Sequence, residues 1–392
     1  MEPVHYNYED FAWLPTVVFR MMGYDMLGVP KTRLRRIMMR LYRVLCLGCH
    51  GFCVGFMIFR MVEGKTINNV SLIMRYGTLV TYVINSDTKY ATALQRGAIQ
   101  SLNTKLADLY PKTTLDKVYH RVNEHYWSKM FVYLILFYIG SSTMVVIGPI
   151  ITSTISYFAN RGFTYMHCYP YFIFDPEKDS AWIYVGIYAV EWLHSTQMVI
   201  SNVATDLWLI YFQVQINMHL RGIIRSLEDH QPSVDREDED RRFVAKIVDK
   251  HVYLVELQND LNGIFGGSLL LSLLTTASVL CTVSVYTLIQ GVTLEGVTYV
   301  FFIATSALQV FLVCYYGQEV FDLSSNIAHA VYNHDFHNAS ISYKKWLLII
   351  IIRAQQPVEL SAMGYLPISL DTFKQVMSVT YRVIAMLRQM IM

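Results

Sequence analysis

Charge is scarce in this sequence. Only 16% of its 392 residues are Asp, Glu, Lys or Arg, against roughly 25% in an ordinary soluble domain. With 54% hydrophobic residues, 14% aromatic ones and a mean hydropathy of +0.32, that deficit excludes a water-soluble globule and points to a membrane protein. No basic block interleaved with aromatics is present and the net charge is only +2, so nucleic acid is set aside as a partner. Also missing at the N-terminus is a basic flank followed by an apolar run and a small-residue cleavage site. MEPVHYNYEDFAWLPT carries Glu2, Glu9 and Asp10 instead, and the first spanning helix is expected to act as its own insertion signal.

The chemistry-bearing motifs are absent too. GxxxxGK[ST], HExxH, GxSxG and a paired-carboxylate arrangement do not occur, which leaves enzyme activity no residue to rest on. Of the six cysteines only Cys168 lies in a polar stretch, so a disulfide framework has little support. CLGCH, from Cys46 to His50, matches the c-type haem attachment pattern. It lies inside an apolar run with no local pocket for a porphyrin, and Cys46, Cys49 and Cys53 at helical spacing suit packing between membrane helices. Neither cofactor nor metal is expected.

What is present is a series of long apolar runs. A spanning helix needs about 20 mostly apolar residues, and Leu41 to Phe59, Met130 to Ser153, Ala181 to Phe212, Ile264 to Ile289 and Val297 to Tyr316 meet that need. The run from Leu370 qualifies if its charges find partners; Val70 to Asn85, interrupted by Arg75, is the weakest. Basic residues decide the doubtful case, because short cytoplasmic loops collect them. With seven spans one side receives 24 Lys and Arg and the other only Arg60, Lys65, Arg161 and Lys178. The expectation is an all-α membrane protein of seven transmembrane helices, N-terminus cytoplasmic and C-terminus extracellular. A G-protein-coupled receptor would be the other way up; a transporter lacks support because no internal repeats or paired broken helices occur.

The chain divides accordingly. Residues 1–40 form a cytoplasmic segment, 41–316 hold spans one to six with helical extensions into the cytoplasm, 317–366 a cytoplasmic segment, and 367–392 the last helix. DREDEDRR, Asp235 to Arg242 after Pro232, reads as a mobile loop tip. WLLIIII, Trp346 to Ile352, is too short to span and reads as a buried cytoplasmic helix. Asn69-Val-Ser71 is a glycosylation sequon on the outer side, whereas Asn338-Ala-Ser340 falls inside.

Glu191, His194 and Asp206 fall in or near the fourth span, where a proton relay is the competing reading. In a run that would be roughly 48 Å long as a helix Asp206 is expected beyond the hydrocarbon, and interhelical hydrogen bonding is the expected role of the other two. Tyr76, Ser142, Met144, Trp182, Tyr184, Tyr188, Trp192, Tyr299 and Phe302 cluster in the outer halves of the spans, a composition that suits a small-molecule site as well as interfacial packing. In the last helix, Asp371, Gln375, Ser378, Arg382, Met386 and Gln389 share one face, with Phe373, Thr380, Ile384, Leu387 and Ile391 opposite. One helix cannot enclose a channel, so this polar stripe implies several subunits each lining an ion path. Lys374 and Arg388 can snorkel to the interfaces, but Arg382, near mid-membrane, cannot.

From Tyr315 onward, YYGQEVFDLSSNIAHAVYNHDF, KKWLLIIIIRAQQPVEL and SAMGYLPISLDTFKQV resemble the C-terminal third of insect odorant receptors. The shared elements are G-Q, S-x-x-I-A-x-A-x-Y, R-x-Q-x-P, A-x-G and S-L-x-x-F in order. The resemblance implies a tuning subunit of a ligand-gated, non-selective cation channel in the plasma membrane of olfactory neuron dendrites. It implies assembly with the odorant co-receptor into a four-subunit complex that detects volatile small molecules. In that family four last helices surround the pore, a cytoplasmic anchor holds the subunits together, and the odorant sits among the second, third, fourth and sixth spans. Aligned through Ser369-Leu370-Asp371, the gate falls on Met386, Gln389 and Met390. Phe336 stands where many members have Trp, and Arg382 and Arg388 are unusual in a cation pore. A gustatory receptor is the runner-up; its T-Y-x5-Q-F ending is disfavoured, because here Thr380-Tyr381 precedes Gln389-Met390 by seven residues.

Overall fold

The computed structural model describes residues 6–24, 32–63, 70–122, 129–159, 165–169, 180–290 and 294–391. Its helices are α1 (Tyr8–Met21), α2 (Arg33–Val62), α3 (Val70–Leu94), α4 (Arg96–Leu109), α5 (Thr114–Tyr119), α6 (Lys129–Phe158), α7 (Ala181–Asp229), α8 (Glu237–Gln290), α9 (Leu294–Asn333), α10 (Ile341–Ala354) and α11 (Leu370–Ile391). The spans are α2, α3, α6, α7, α8, α9 and α11. Among the described residues, Arg33–Val62, Val234–Val285 and Val300–Asn333 are each long and apolar enough by themselves to cross a membrane.

Length explains the architecture. At 1.5 Å per residue the 49 residues of α7 extend about 74 Å and the 54 of α8 about 81 Å, against a hydrocarbon core of roughly 30 Å. Both must therefore project well beyond the bilayer. The projecting half of α7 is the centre of the main core: every residue from Ser201 to Gln213 is buried, wrapped by α1, α3, α4, α8 and α9. A helix buried all round that carries Ser201, Asn202, Thr205, Asp206, Gln213 and Asn217 needs partners for each polar group. Asn85 donates its side-chain amide to Asn202 Oδ1 (3.1 Å), the Thr205 hydroxyl to the Lys89 backbone carbonyl (3.0 Å), and Gln213 and Gln258 exchange amide bonds at 3.2 and 3.3 Å. Asn217 donates to Glu319 at 2.9 Å, and Glu319 also binds the Arg221 guanidinium. These bonds fix the register of α7 against α3, α8 and α9. A second, smaller core of Cys53, Met57, Tyr76, Val83, Tyr169 and Met198 lies around the first half of α7.

Two expectations are corrected. The acidic-basic run is not a loop tip: after a 3-10 turn at Val234–Arg236 it forms the first turns of α8. Four consecutive acids, Glu237 to Asp240, sit where the helix dipole favours negative charge. Asp240, only 2% exposed, closes the turn by binding His230 Nε2 (2.9 Å) and the Ser233 N–H (3.0 Å). The WLLIIII segment is helical as expected, capped by the Ser340 hydroxyl on the Tyr343 N–H, but only one face is buried. Leu347 and Ile350 enter the core, whereas Leu348, Ile349 and Ile352 are exposed. A fully apolar run on a helix at the core's edge necessarily leaves one side uncovered by its own chain.

A small hairpin was not foreseen. Ser361–Ala362 (β1) pairs antiparallel with Leu366–Pro367 (β2) through a three-residue loop, Met363 to Tyr365, in which Met363 and Gly364 both have positive φ and the Tyr365 N–H bonds the Ala362 carbonyl (3.2 Å). Gly266 of α8 lets the hairpin approach: a Cβ there would stand 2.8 Å from the Met363 backbone nitrogen. Thus the chain just before α11 is held to α8.

Candidate ligand pocket and pore helix

The first half of α7 carries a line of ionisable and hydroxyl groups turned inward. Glu191 is fully buried and accepts the backbone N–H groups of Cys168 (3.2 Å) and Tyr169 (3.4 Å). One turn on, the Ser195 hydroxyl meets the Tyr169 hydroxyl at 2.6 Å and donates to the Glu191 carbonyl. His194 packs between the Tyr169 ring (5.3 Å) and the His50 ring (4.8 Å). Glu191 therefore ties the non-helical segment at 165–169 onto α7 rather than bonding a second helix, His194 contributes ring packing, and Asp206 is engaged elsewhere, with Lys89.

The aromatic residues singled out from sequence divide into three sets. Tyr76, 3% exposed, belongs to the smaller core. Tyr184 and Tyr188 stack at 5.7 Å; the Tyr184 hydroxyl donates to the Met166 carbonyl (2.7 Å) and that of Tyr188 to the Val146 carbonyl, joining α7 to α6. Phe302 meets Tyr82 edge-on at 5.1 Å, joining α9 to α3. These four face the interior between α3, α6, α7 and α9. Trp182 and Trp192 are 82% and 58% exposed and point away from the bundle. The side chains of Ser142, Met144, Tyr299 and Met390, and the sequon residue Asn69, lie outside the described residues. Tyr169, Ser195 and the Thr78–Thr282 hydroxyl pair (3.0 Å) were missed, because no periodicity marks a loop residue or a cross-helix hydroxyl.

A separate cavity lies deeper, between α3, α7, α8 and α9, lined by Lys89, Asp206, Ser268, Ser272, Gln309 and Ile368 among others. Its water-accessible space is about 20 Å³, enough for one water and far short of the several hundred Å³ of a small-molecule site.

In α11, Phe373 packs edge-on against Phe311 of α9 (5.5 Å) and Thr380 is buried. Asp371, Gln375, Arg382, Met386 and Gln389 are exposed, with Ser378 partly so. Gln375 donates to Asp371 (2.7 Å) and Arg382 to the Ser378 hydroxyl (3.0 Å), so the polar stripe is stitched along its own length rather than to the bundle.

The family model that describes the 7tm odorant receptor matches residues 68–381. The chain belongs to that family. This receptor is 76% identical to Drosophila melanogaster odorant receptor 85f over the whole of both chains, and 34% identical to odorant receptor 49a of the same organism over 98% of each. Its fold is that of the insect olfactory receptor OR5 from Machilis hrabei, solved in complex with eugenol, with a TM-score of 0.77, 15% identity and 98% of each chain covered. Olfactory reception and membrane residence thus follow for the receptor from its family, a family of receptors rather than enzymes.

Proposed function

We propose that the receptor is the tuning subunit of a ligand-gated, non-selective cation channel, assembled with the odorant co-receptor in a four-subunit complex in the plasma membrane of olfactory neuron dendrites. The observation that carries this is α11, which turns its apolar side to α9 and a self-bonded polar stripe away from its own chain. A spanning helix with an exposed Arg382 needs water or a polar partner on that side, and a shared central pore supplies both. Arg382, Met386, Gln389 and Met390 line it in this reading. The N-terminus is cytoplasmic and the C-terminus extracellular, by the bias of basic residues. The division at residues 40, 316 and 366 follows, and the uncovered face of α10, with Ile341, Leu348, Ile349 and Ile352, meets neighbouring subunits.

Volatile ligands occupy the space among Tyr76, Ser142, Met144, Tyr184, Tyr188, Tyr299 and Phe302, with the Tyr169 and Ser195 hydroxyls as polar anchors. Trp192 is left to the lipid.

Cysteine accessibility in the co-assembled channel tests the pore assignment. Thiol reagents should modify cysteines at 382 and 389 in the open complex and alter the current, while a cysteine at 380 stays protected. Labelling at 380 with none at 382 and 389 would overturn it. Current recording across an odorant panel, with and without the co-receptor, tests the assembly.

A further inference from the structure

The start of α2 holds an arrangement that the receptor function does not use. Arg33, Arg36 and Arg40 are exposed, and at 100° per residue they share with Arg43 an arc of about 80°. The adjoining arc carries Leu34, Met38 and Leu41, each more than 60% exposed. A charged stripe beside a bilayer-facing apolar stripe, at the point where the helix enters the membrane, is the pattern a lipid with an anionic head fits.

The site is built from more than one element. Gly23, with φ +80, turns the chain so that the Tyr24 ring slides under α2; a Cβ at Gly23 would collide with the Arg43 side chain. The Arg43 guanidinium lies 4.6 Å above that ring and the Arg96 guanidinium, from the first residue of α4, 4.9 Å from it. The Tyr24 hydroxyl is fixed by the Tyr90 hydroxyl at 2.8 Å. Two like charges are thus held within about a Debye length of each other, and neither they nor Arg33, Arg36 and Arg40 form an ion pair with a carboxylate among the described residues. The first turns of α2 and α4 contain no acidic residue. Topology alone would account for basic residues anywhere on this side; it does not account for two guanidiniums from different helices gathered on one ring.

We propose that Arg36, Arg40, Arg43 and Arg96 form a binding site for an inner-leaflet lipid bearing phosphomonoester groups, a phosphorylated inositol headgroup, with its acyl chains along Leu34, Met38 and Leu41. Planar guanidiniums bind such dianionic groups bidentately, which a phosphodiester with a single charge satisfies less well. The inner-leaflet placement rests on the orientation proposed above.

The test uses the full-length receptor purified in detergent and titrated with short-chain phosphatidylinositol bisphosphate, phosphatidylserine, phosphatidylcholine and soluble inositol trisphosphate. The expected result is preference for the bisphosphate lipid, an affinity at least ten-fold weaker in Arg36→Gln/Arg40→Gln and in Arg96→Gln, and partial recovery in Arg36→Lys/Arg40→Lys. Arg36 and Arg40 hold nothing together, so a monodisperse elution profile separates lost binding from misfolding. Unchanged affinity in these variants, equal binding of phosphatidylserine, or inositol trisphosphate binding as tightly as the lipid would each overturn the proposal. Binding in micelles does not depend on orientation, which the accessibility of an N-terminal tag in intact cells reports separately.

Discussion

Lys89 and Asp206 form the most demanding interaction in the receptor. The Lys89 ammonium donates to both Asp206 oxygens at 2.7 Å, with the two side chains 2% and 5% exposed. Removing one partner strands a charge where water does not reach it, and such losses run to about 3–5 kcal/mol. The structure allows a tighter bound. In Asp206→Leu the stranded lysine can escape by losing its proton, which at pH 7 costs about 4.6 kcal/mol from a reference pKa near 10.4. That cost falls by about 1.4 kcal/mol for each unit of pH, to roughly 1.9 kcal/mol at pH 9. In Lys89→Met the carboxylate escapes by taking a proton, at about 4.2 kcal/mol at pH 7 from a reference near 3.9, and here the cost rises with pH. Against a typical stability of about 5–15 kcal/mol either variant should be severely weakened. The double variant Lys89→Met/Asp206→Leu carries no stranded charge and should recover to near the parent or above it. Apparent melting temperatures of the detergent-solubilised proteins, taken from pH 6 to 9, read all four. Asp206→Leu should gain on the parent as pH rises and Lys89→Met as pH falls. Parallel pH profiles for the two single variants, or a double variant no better than the worse single one, would refute the reasoning.

Three further outcomes are expected. Gly317→Ala places a Cβ on the Ile368 carbonyl oxygen, which is backbone and cannot swing aside, so α9 and the approach to α11 must separate. A strain of about 1–3 kcal/mol should appear as lost odorant-evoked current at near-normal surface expression, and normal currents would count against it. Burial holds the His334 imidazole below the usual histidine range; the Leu227 carbonyl opposes this, while His230, Asp240, Asp335 and Tyr343 also face the ring. A folded pKa below the unfolded one means that the unfolded state binds the proton first, so this joint is intact above about pH 6.5 and weakens as pH falls below it. Protection factors around residues 333–346, that is exchange rates divided by the intrinsic rate at each pH, should therefore fall between pH 7.5 and 6, and equal protection at both would exclude it. Arg382→Ala should raise cation current: a unit charge roughly 5 Å from the ion path in water contributes on the order of 0.8 kcal/mol, about four-fold. Unchanged permeation and rectification would place Arg382 off the path.

The span pattern was legible because it rests on apolar length and basic bias, both of which survive without knowledge of contacts. Even the weak second span, interrupted by Arg75, emerges as the 25-residue helix α3. What stayed hidden depends on partners distant in sequence. Lys89 counts as one more cytoplasmic lysine until Asp206, 117 residues away, is brought to it. Asp240 belongs to a charge run that looks solvated, and only the return of His230 and Ser233 buries it. The hairpin at Ser361–Pro367 is too short for alternation to mark, and its strongest sequence signal, Met363-Gly364, is an uncommon turn pair.

The distribution of packing bears on how the proposed gating travels. Around Ser201–Gln213 the helix is enclosed on every side, Asn202, Thr205, Asp206 and Gln213 are paired across to α3 and α8, and the adjoining cavity admits one water. Such a region cannot absorb a displacement by compression, because close-packed interiors move as bodies. A ligand that shifts the first half of α7 between Tyr184 and Ser195 must therefore rotate or slide the second half as a unit against α8 and α9. The part that such a motion meets next is the wall of the cavity, where Ile368 stands beside Val310 and Val313, two residues before α11 begins. Coupling between a volatile molecule and the pore helix then needs no continuous wire of special residues. It needs a stiff α7 and a last helix whose approach is clamped at Gly266 and Gly317. Softening the stiff part, as Asp206→Leu does, should lower the current evoked at saturating odorant, and restoring it with the double variant should bring that current back.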